Sequence, residues 1–409
     1  MKNYKVDLHI HLGQAKERPV KITASRKLTL EGILSQENPT GPLGKGKYLR
    51  KGLDIVGVVD CITVGAREEI KKLISLGIID NKYPGGGLRY GDKLTLLLGA
   101  EIETREKNGS AHWVAFFRGL EEIEIFADYL YRYIKNPYLS TQVCELKARQ
   151  LAKFTLSLGG LFFPAHIFTP HKGVLGNCTA ILSEIIDDDV VAVELGLSAD
   201  TGMANRLTDL SKRTFLSNSD AHSLQNIGRE FTIFSLNNPS FDDLSSAIKK
   251  QGVQKVTANI GLNPELGKYH RTYCHTCKRP VKTPPPTYHC PICKGTNITF
   301  GVADRLEEIA DLSDTSLKLP NKVIVSEHPP YIYNIPLEFI PGVGKKIKTK
   351  LIEAFGSELS VLHEVPYNKI SVVVGQKIAN NILAARRGQI EIKAGGGGYY
   401  GKIDSTAKF

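Results

Sequence analysis

No stretch of this 409-residue chain approaches the ~18 consecutive apolar residues that a membrane span needs. The longest apolar runs, Ile55–Val59 and Leu94–Leu98, are strand-sized. The first residues, MKNYKVDLHIH, carry charges and histidines where a secretory leader needs an apolar stretch, so the cytoplasm is the expected location. Acidic side chains are in the minority: 42 Asp+Glu against 53 Lys+Arg leaves +11. That surplus points to an acidic partner, with nucleic acid the first candidate. Wholesale disorder is excluded by 42% hydrophobic and 23% charged residues. At roughly 150 residues per domain, the length predicts two or three domains.

A disulfide framework is also missing. Of seven cysteines, Cys61, Cys144 and Cys178 are scattered, and the other four form Cys274-His-Thr-Cys277 and Cys290-Pro-Ile-Cys293. Two C-x2-C hairpins of this spacing aim four thiolates at one ion and predict a structural zinc ribbon. Four thiolates close the coordination sphere, so this one Zn²⁺ holds structure and does no chemistry.

Strand and helix signals alternate from residue 1 to about 260. Val6, Leu8 and Ile10 alternate with Asp7, His9 and His11 at a period of two. Ile55–Val59 ends at Asp60, Leu94–Leu98 runs into Glu101, and Val190–Val193 leads to Glu194. Leu161–Phe163 leads to His166, and Phe215-Leu216 leads to Asp220 and His222. Polar residues at successive strand ends predict an α/β barrel whose chemistry gathers at one mouth.

His9-x-His11 places two imidazoles on one strand face, and Asp220-x-His222 repeats the arrangement. Asp60, Glu101, His112, His166 and Glu194 lie between them at or near strand ends. Mixed imidazole and carboxylate ligands suit divalent ions, and this many exceeds what one ion uses. The expectation is two or three catalytic ions, Zn²⁺ or Mn²⁺ with Mg²⁺ as an alternative. All nine residues are candidate metal ligands, with His166, Asp220 and His222 carrying the catalytic role. Such ions lower the pKa of a bridging water and neutralise charge on a phosphoryl oxygen, which points to phosphoester hydrolysis.

These motifs resemble the PHP (polymerase and histidinol phosphatase) family. Its opening H-x-H matches His9 and His11, its second motif Val58-Val59-Asp60, its G-x-E motif Gly99-Ala100-Glu101, and its closing D-x-H Asp220 and His222. The resemblance implies a distorted (β/α)7 barrel with up to three metals. The family often has His directly after the second-motif Asp, and Cys61 stands there instead.

Further on, Phe339-Ile-Pro-Gly342-Val-Gly344-Lys345-Lys346-Ile-Lys348 combines a G-x-G turn with lysines and a spaced apolar helix. Val373-Val374-Gly375-Gln376-Lys377 is a degenerate second copy. The pair resembles the helix-hairpin-helix elements of DNA repair proteins, whose turn N–H groups grip phosphates. Gly342, Gly344, Lys345, Lys346, Lys348, Gly375 and Lys377 are the expected DNA contacts.

The expected organisation is a PHP domain (1–262), a zinc ribbon (263–300), a connector (301–330), a small all-α helix-hairpin-helix domain (331–393) and a flexible Gly-rich basic tail (394–409). This order resembles the endonuclease Q family over nearly the whole chain. That likeness implies a DNA repair endonuclease cutting 5′ to deaminated bases (hypoxanthine, uracil, xanthine) and abasic sites, with base flipping. Damaged DNA is the implied partner, a sliding clamp a further candidate, a monomer the expected state and the nucleoid the expected place. Composition and spacing alone reach a metal-dependent nuclease. The alternatives are a small-molecule PHP phosphatase of the histidinol-phosphate type and a non-catalytic DNA-binding module.

Overall fold

The computed structural model describes residues 1–43, 49–313, 328–389 and 391–403. Much of the predicted connector and the end of the tail lie outside these residues. Seven strands ring the centre: β1 (Lys2–Ile10), β2 (Ile55–Val58), β3 (Leu94–Arg105), β4 (Ser110–Phe117), β5 (Leu161–Pro164), β6 (Ala192–Glu194) and β7 (Thr214–Leu216). β1, β2 and β3 are parallel, β4 is antiparallel to both neighbours, and β6 and β7 pair in parallel. Two seams complete the curled ring. Ile167 N–H donates to Glu194 O (2.9 Å) between β5 and β6, and His11 N–H donates to Ala221 O (3.0 Å) between the segment after β7 and β1. The expected α/β barrel is present, with one departure: β3 and β4 form a hairpin instead of a strand–helix unit. Because β4 runs backwards, its first residues lie at the mouth reached by the ends of the parallel strands. That brings His112 to the site.

Val6, Leu8, Ile55, Leu97, Phe116 and Phe163 fill one buried cluster. Outside the ring, α1 (Leu30–Glu37) is buried on all sides but Glu31, while α2 (Val64–Ser75), α3 (Leu120–Leu130) and α4 (Ala148–Ser157) bury one face each. In α3 that face is Ile123, Phe126, Ala127 and Leu130, at helical spacing, with Glu121 and Glu122 favouring the positive end of the helix dipole. Each such large side chain contributes about 1.5–3 kcal/mol.

The strict alternation expected in β1 does not hold. Asp7 lies opposite Val56 of β2 but Ile10 lies opposite Val58, so β1 carries one extra residue between them. A bulge of this kind swaps the faces beyond it. Val6 and Leu8 belong to the inner cluster, and Ile10 and Leu12 to the outer one. His9 and His11 therefore face the barrel mouth, a side they do not share with Asp7.

Gly99, the glycine of the G-x-E motif, is required by close packing. A Cβ there would lie 2.6 Å from the Phe116 ring and 2.9 Å from Ala115 O. Gly99→Ala is expected to cost about 1–3 kcal/mol in denaturant unfolding; an unchanged midpoint would show that Phe116 can retreat.

Outside the ring, β8 (Phe231–Leu236) pairs with the first half of β1, β9 (Lys255–Gly261) with β8, and β10 (Tyr331–Tyr333) with β9. The expected all-helical unit thus begins with a strand of the barrel sheet. α5 (Phe241–Ile248) covers β8 and β9, and α6 (Val302–Ile309) follows the ribbon. Then come α7 (Lys345–Phe355), α8 (Glu358–His363), α9 (Tyr367–Val374) and α10 (Gln376–Arg386). The described part of the tail is paired, contrary to the expectation of a flexible one. Gly395 N–H donates to Glu265 O (2.8 Å), Gly398 N–H to Lys268 O (2.9 Å) and Gly401 N–H to Leu266 O (2.9 Å). Glycine suits such close backbone contact: a Cβ at Gly395 would lie 2.5 Å from Gly267 O. No helix among the described residues is long and apolar enough to cross a membrane.

Candidate active site and nucleic-acid interface

Glu101 is the hub of the barrel mouth. Its Oε1 lies 2.8 Å from His112 Nδ1, 3.4 Å from His9 Nε2 and 3.5 Å from His166 Nε2. Its Oε2 lies 3.5 Å from His11 Nε2. Asp220 Oδ1 stands 3.7 Å from both His9 Nε2 and His11 Nε2, and 3.5 Å from His222 Nδ1. Three groups each bring three donor atoms within 4.8 Å of one another: His9, His11 and Glu101; Glu101, His112 and His166; His11, Asp220 and His222. Seven of the nine predicted ligands therefore converge.

The donor set fits divalent ions. His9 Nε2 and His11 Nε2 are buried, have no hydrogen-bond partner and face the Glu101 and Asp220 carboxylates at 3.4–3.7 Å. Orphaned buried nitrogens facing carboxylates are costly without a cation between them. Burial opposes a charge on His9, but Glu194 and Glu101 outweigh it and hold the imidazolium well above its ordinary range. An ion entering the site takes the place of that proton. His222 is the opposite case: burial and the nearby His11 pull it down to about 4 against the pull of Asp220, so its lone pair is free at neutral pH. His166 and Asp220 adopt positive φ, 31° and 45°, a strained backbone that surrounding contacts must enforce.

Asp60 and Glu194 stand behind the centre, which corrects their expected ligand role. Asp60 Oδ1 meets His11 Nδ1 at 3.0 Å, and its Oδ2 accepts from Leu12 N–H at 2.6 Å. Glu194 Oε2 meets His9 Nδ1 at 2.9 Å and accepts from Asn218 Nδ2 at 3.0 Å. Each carboxylate takes the rear nitrogen of an imidazole and so turns Nε2 to the centre, the usual support of a metal-binding histidine. Asp7 touches no imidazole; it accepts main-chain N–H groups of His9, Ser219 and Gly228. Cys61 belongs to none of the three donor groups; its thiol is fully buried, donates to Val58 O (3.2 Å) and is pushed up by burial.

Two features were not legible in advance. Lys21 and Thr141, from irregular segments, both reach Glu101 Oε2. Arg229 donates to Ser219 O (2.8 Å) and Asp220 O (3.3 Å) and also binds the Tyr400 hydroxyl (2.7 Å), so the tail supports the Asp220 turn. A cavity of about 160 Å³ opens beside the centre, lined by His166, Asp220, Lys172, Leu197, Lys268 and Tyr269. Phe162, Phe163 and Phe168, near the same strand end, are core residues that present no free ring at the mouth; Phe162 stacks on Trp113.

In the ribbon, Cys274, Cys277, Cys290 and Cys293 form a fourth group of converging donors. Their sulfurs approach to 3.6 Å (Cys274–Cys293) and 3.7 Å (Cys277–Cys290) beside three short strands. Four converging sulfurs without disulfides fit one tetrahedral Zn²⁺.

The two hairpins sit side by side. Gly342 has φ 85° and lies next to Ile378, and Asn381 Nδ2 donates to Pro341 O (2.9 Å). Gly344 and Gly375 begin α7 and α10 and face open space. Lys345, Lys346 and Lys377 are exposed at the same helix starts. Lys348 is not available to a phosphate: its half-buried ammonium lies between Glu338 and Glu358, 2.9 Å from the latter. Its ammonium serves these two carboxylates and not the DNA contact expected of it.

A curled α/β barrel with imidazoles and carboxylates converging at one mouth defines a metal-dependent hydrolase of the PHP kind, here joined to a four-cysteine ribbon and paired helical hairpins. Residues 201–253 match the family described as PHP-associated. The uncharacterized protein YqxK of Bacillus subtilis (strain 168) is 40% identical over 408 residues, 98% of this chain and 100% of its own length. A lesion-specific endonuclease, PfuEndoQ from Pyrococcus furiosus, superposes with TM-score 0.80 at 30% identity, covering 98% of this chain and 95% of that one. Endonuclease Q bound to a 27-mer duplex substrate with an abasic lesion at its active site gives TM-score 0.79 at 29% identity, covering 98% and 96%. The chain belongs to the endonuclease Q family.

Proposed function

We propose that this protein is a DNA repair endonuclease that hydrolyses the phosphodiester 5′ to deaminated bases (hypoxanthine, uracil, xanthine) and abasic sites, leaving 3′-hydroxyl and 5′-phosphate ends. The observation that carries the reading is the sharing of Glu101 and His11 among three donor groups beside a cavity, in a chain that also holds paired hairpins. His9, His11, Glu101, His112, His166, Asp220 and His222 hold two or three divalent ions, Zn²⁺ or Mn²⁺. Bound there, such ions lower the pKa of water and neutralise charge on a phosphoryl oxygen. Asp60 and Glu194 keep His11 and His9 in the tautomer that offers Nε2. Lys268 at the cavity rim attracts the phosphate backbone, beside Lys172, which is paired with Glu103. A damaged base costs less to unstack and enters the cavity more readily than a paired one. Residues 1–262, 263–300 and 331–393 act as barrel, ribbon and grip.

The test uses end-labelled duplexes with deoxyinosine, deoxyuridine or an abasic site, beside an undamaged control, with and without chelator. Incision 5′ of each lesion that chelator abolishes is the expected result. Release of phosphate from monoesters with intact duplexes would favour the small-molecule phosphatase instead.

The hairpins make a separate prediction. Lys345→Ala, Lys346→Ala and Lys377→Ala should each weaken binding equally for all sequences and lower the salt slope by about 1. Lys348→Ala should leave that slope unchanged. Equal slopes for all four variants would move the DNA path off these hairpins.

A further inference from the structure

Lys21 enters the metal centre from the segment after β1. Its Nζ lies 2.8 Å from Glu101 Oε2 and 2.6 Å from Thr141 Oγ1, and its side chain is only 12% exposed. Thr141 closes the triangle, accepting from Lys21 and donating to the same Glu101 oxygen at 2.8 Å. The two segments are clipped together: Ser140 N–H donates to Val20 O (3.2 Å), and the Arg18 guanidinium lies 5.2 Å from the Tyr138 ring centre. Lys21 N–H donates to Leu12 O (2.9 Å), just past His11. This lysine is therefore built into the site.

Its presence divides Glu101. Oε1 faces His9, His112 and His166, while Oε2 faces His11, the ammonium and the Thr141 hydroxyl. Cys61 offers no thiolate on the neighbouring strand end. A divalent ion and an ammonium compete for one carboxylate oxygen, since like charges a few ångströms apart in a buried site repel by several RT.

We propose that Lys21 is a resident cation of this centre: its ammonium occupies, beside His11 and Glu101 Oε2, a position that a further divalent ion would otherwise take. It thereby limits how many ions the centre holds and leaves Glu101 Oε1 as the shared ligand atom. This rests on the reading of the mouth as a divalent-ion site.

The experiment uses the full chain, stripped with chelator and reloaded with Zn²⁺ or Mn²⁺. Ions per chain are counted by elemental analysis, and affinities are measured by calorimetry. Lys21→His, which exchanges the cation for a donor nitrogen, should hold one more ion per chain than wild type; the ribbon ion is common to both and cancels. Lys21→Arg should hold the wild-type number. Lys21→Met should bind its barrel ions at least about tenfold more tightly, because a like charge has gone. Equal counts in folded Lys21→His, or weaker binding by Lys21→Met, overturn the proposal; the latter would make Lys21 a tether for Glu101. If Lys21→His does not fold, the Lys21→Met affinity decides. A wild type that binds no ion beyond the ribbon's defeats the underlying metal reading instead.

Discussion

Asp220→Asn is expected to cut a lesion-bearing duplex about 1000-fold more slowly than wild type while holding it with unchanged affinity. The carboxylate faces His9, His11 and His222 at 3.5–3.7 Å, and His222 and His9 hold it ionised well below its ordinary range despite its burial. An amide keeps the shape and loses the charge and one acceptor. The fold should survive, because the turn is held through the Asp220 carbonyl by Arg229, not through the carboxylate. Duplex affinity should survive because the exposed lysines of the hairpins are elsewhere. His9→Ala should behave likewise. Asp60→Asn is the contrasting case: it keeps the outer contact to His11 and should weaken metal affinity or activity only about 10–100-fold. The measurements are single-turnover cutting and a binding isotherm. Wild-type cutting by Asp220→Asn would sink the site assignment, and equal losses in Asp60→Asn and Asp220→Asn would restore Asp60 as a ligand.

His9, His11, Asp220 and His222 were legible because an H-x-H or D-x-H pair is rare and strand geometry gives it meaning. The side on which the first pair emerges was not, since one extra residue between Asp7 and Ile10 reverses the alternation. Asp60 and Glu194 were found as polar strand ends, but sequence does not separate a carboxylate in front of an imidazole from one behind it. Lys21 gave no signal, being one of many lysines in an irregular segment. Lys348 shared the pattern of Lys345 and Lys346, and only the packing of α7 on α8 reveals its burial. The tail's glycines read as looseness; here they permit the close backbone approach that brings Tyr400 to Arg229.

Glu358→Ala should destabilise the chain by about 3–5 kcal/mol, more than other changes away from the core. Glu358 is 2.8 Å from Lys51 and 2.9 Å from Lys348, with side-chain exposures of 3%, 5% and 12%. One oxygen also accepts from Leu337 N–H at 3.1 Å. Removing the carboxylate takes the shared partner from two enclosed ammoniums at the junction of barrel and hairpins, leaving Lys51 only the Gln225 carbonyl and Lys348 only Glu338; Glu358 N–H also binds Arg50 O there. Burial would raise the Glu358 carboxyl, but Lys51 and Lys348 outweigh it and hold it down at about 2. A depressed carboxyl contributes stability that is present above its unfolded value of about 4.3 and lost as pH falls towards the folded one. Wild type should therefore lose stability between about pH 4.5 and 2 more steeply than Glu358→Gln, which keeps an acceptor for Leu337 but cannot titrate. Denaturant unfolding at pH 7 and at falling pH reads both effects. A loss under about 1 kcal/mol for Glu358→Ala, or parallel acid profiles, would mean that the two lysines reach water when their partner is removed and that the hairpin unit is held to the barrel by other contacts.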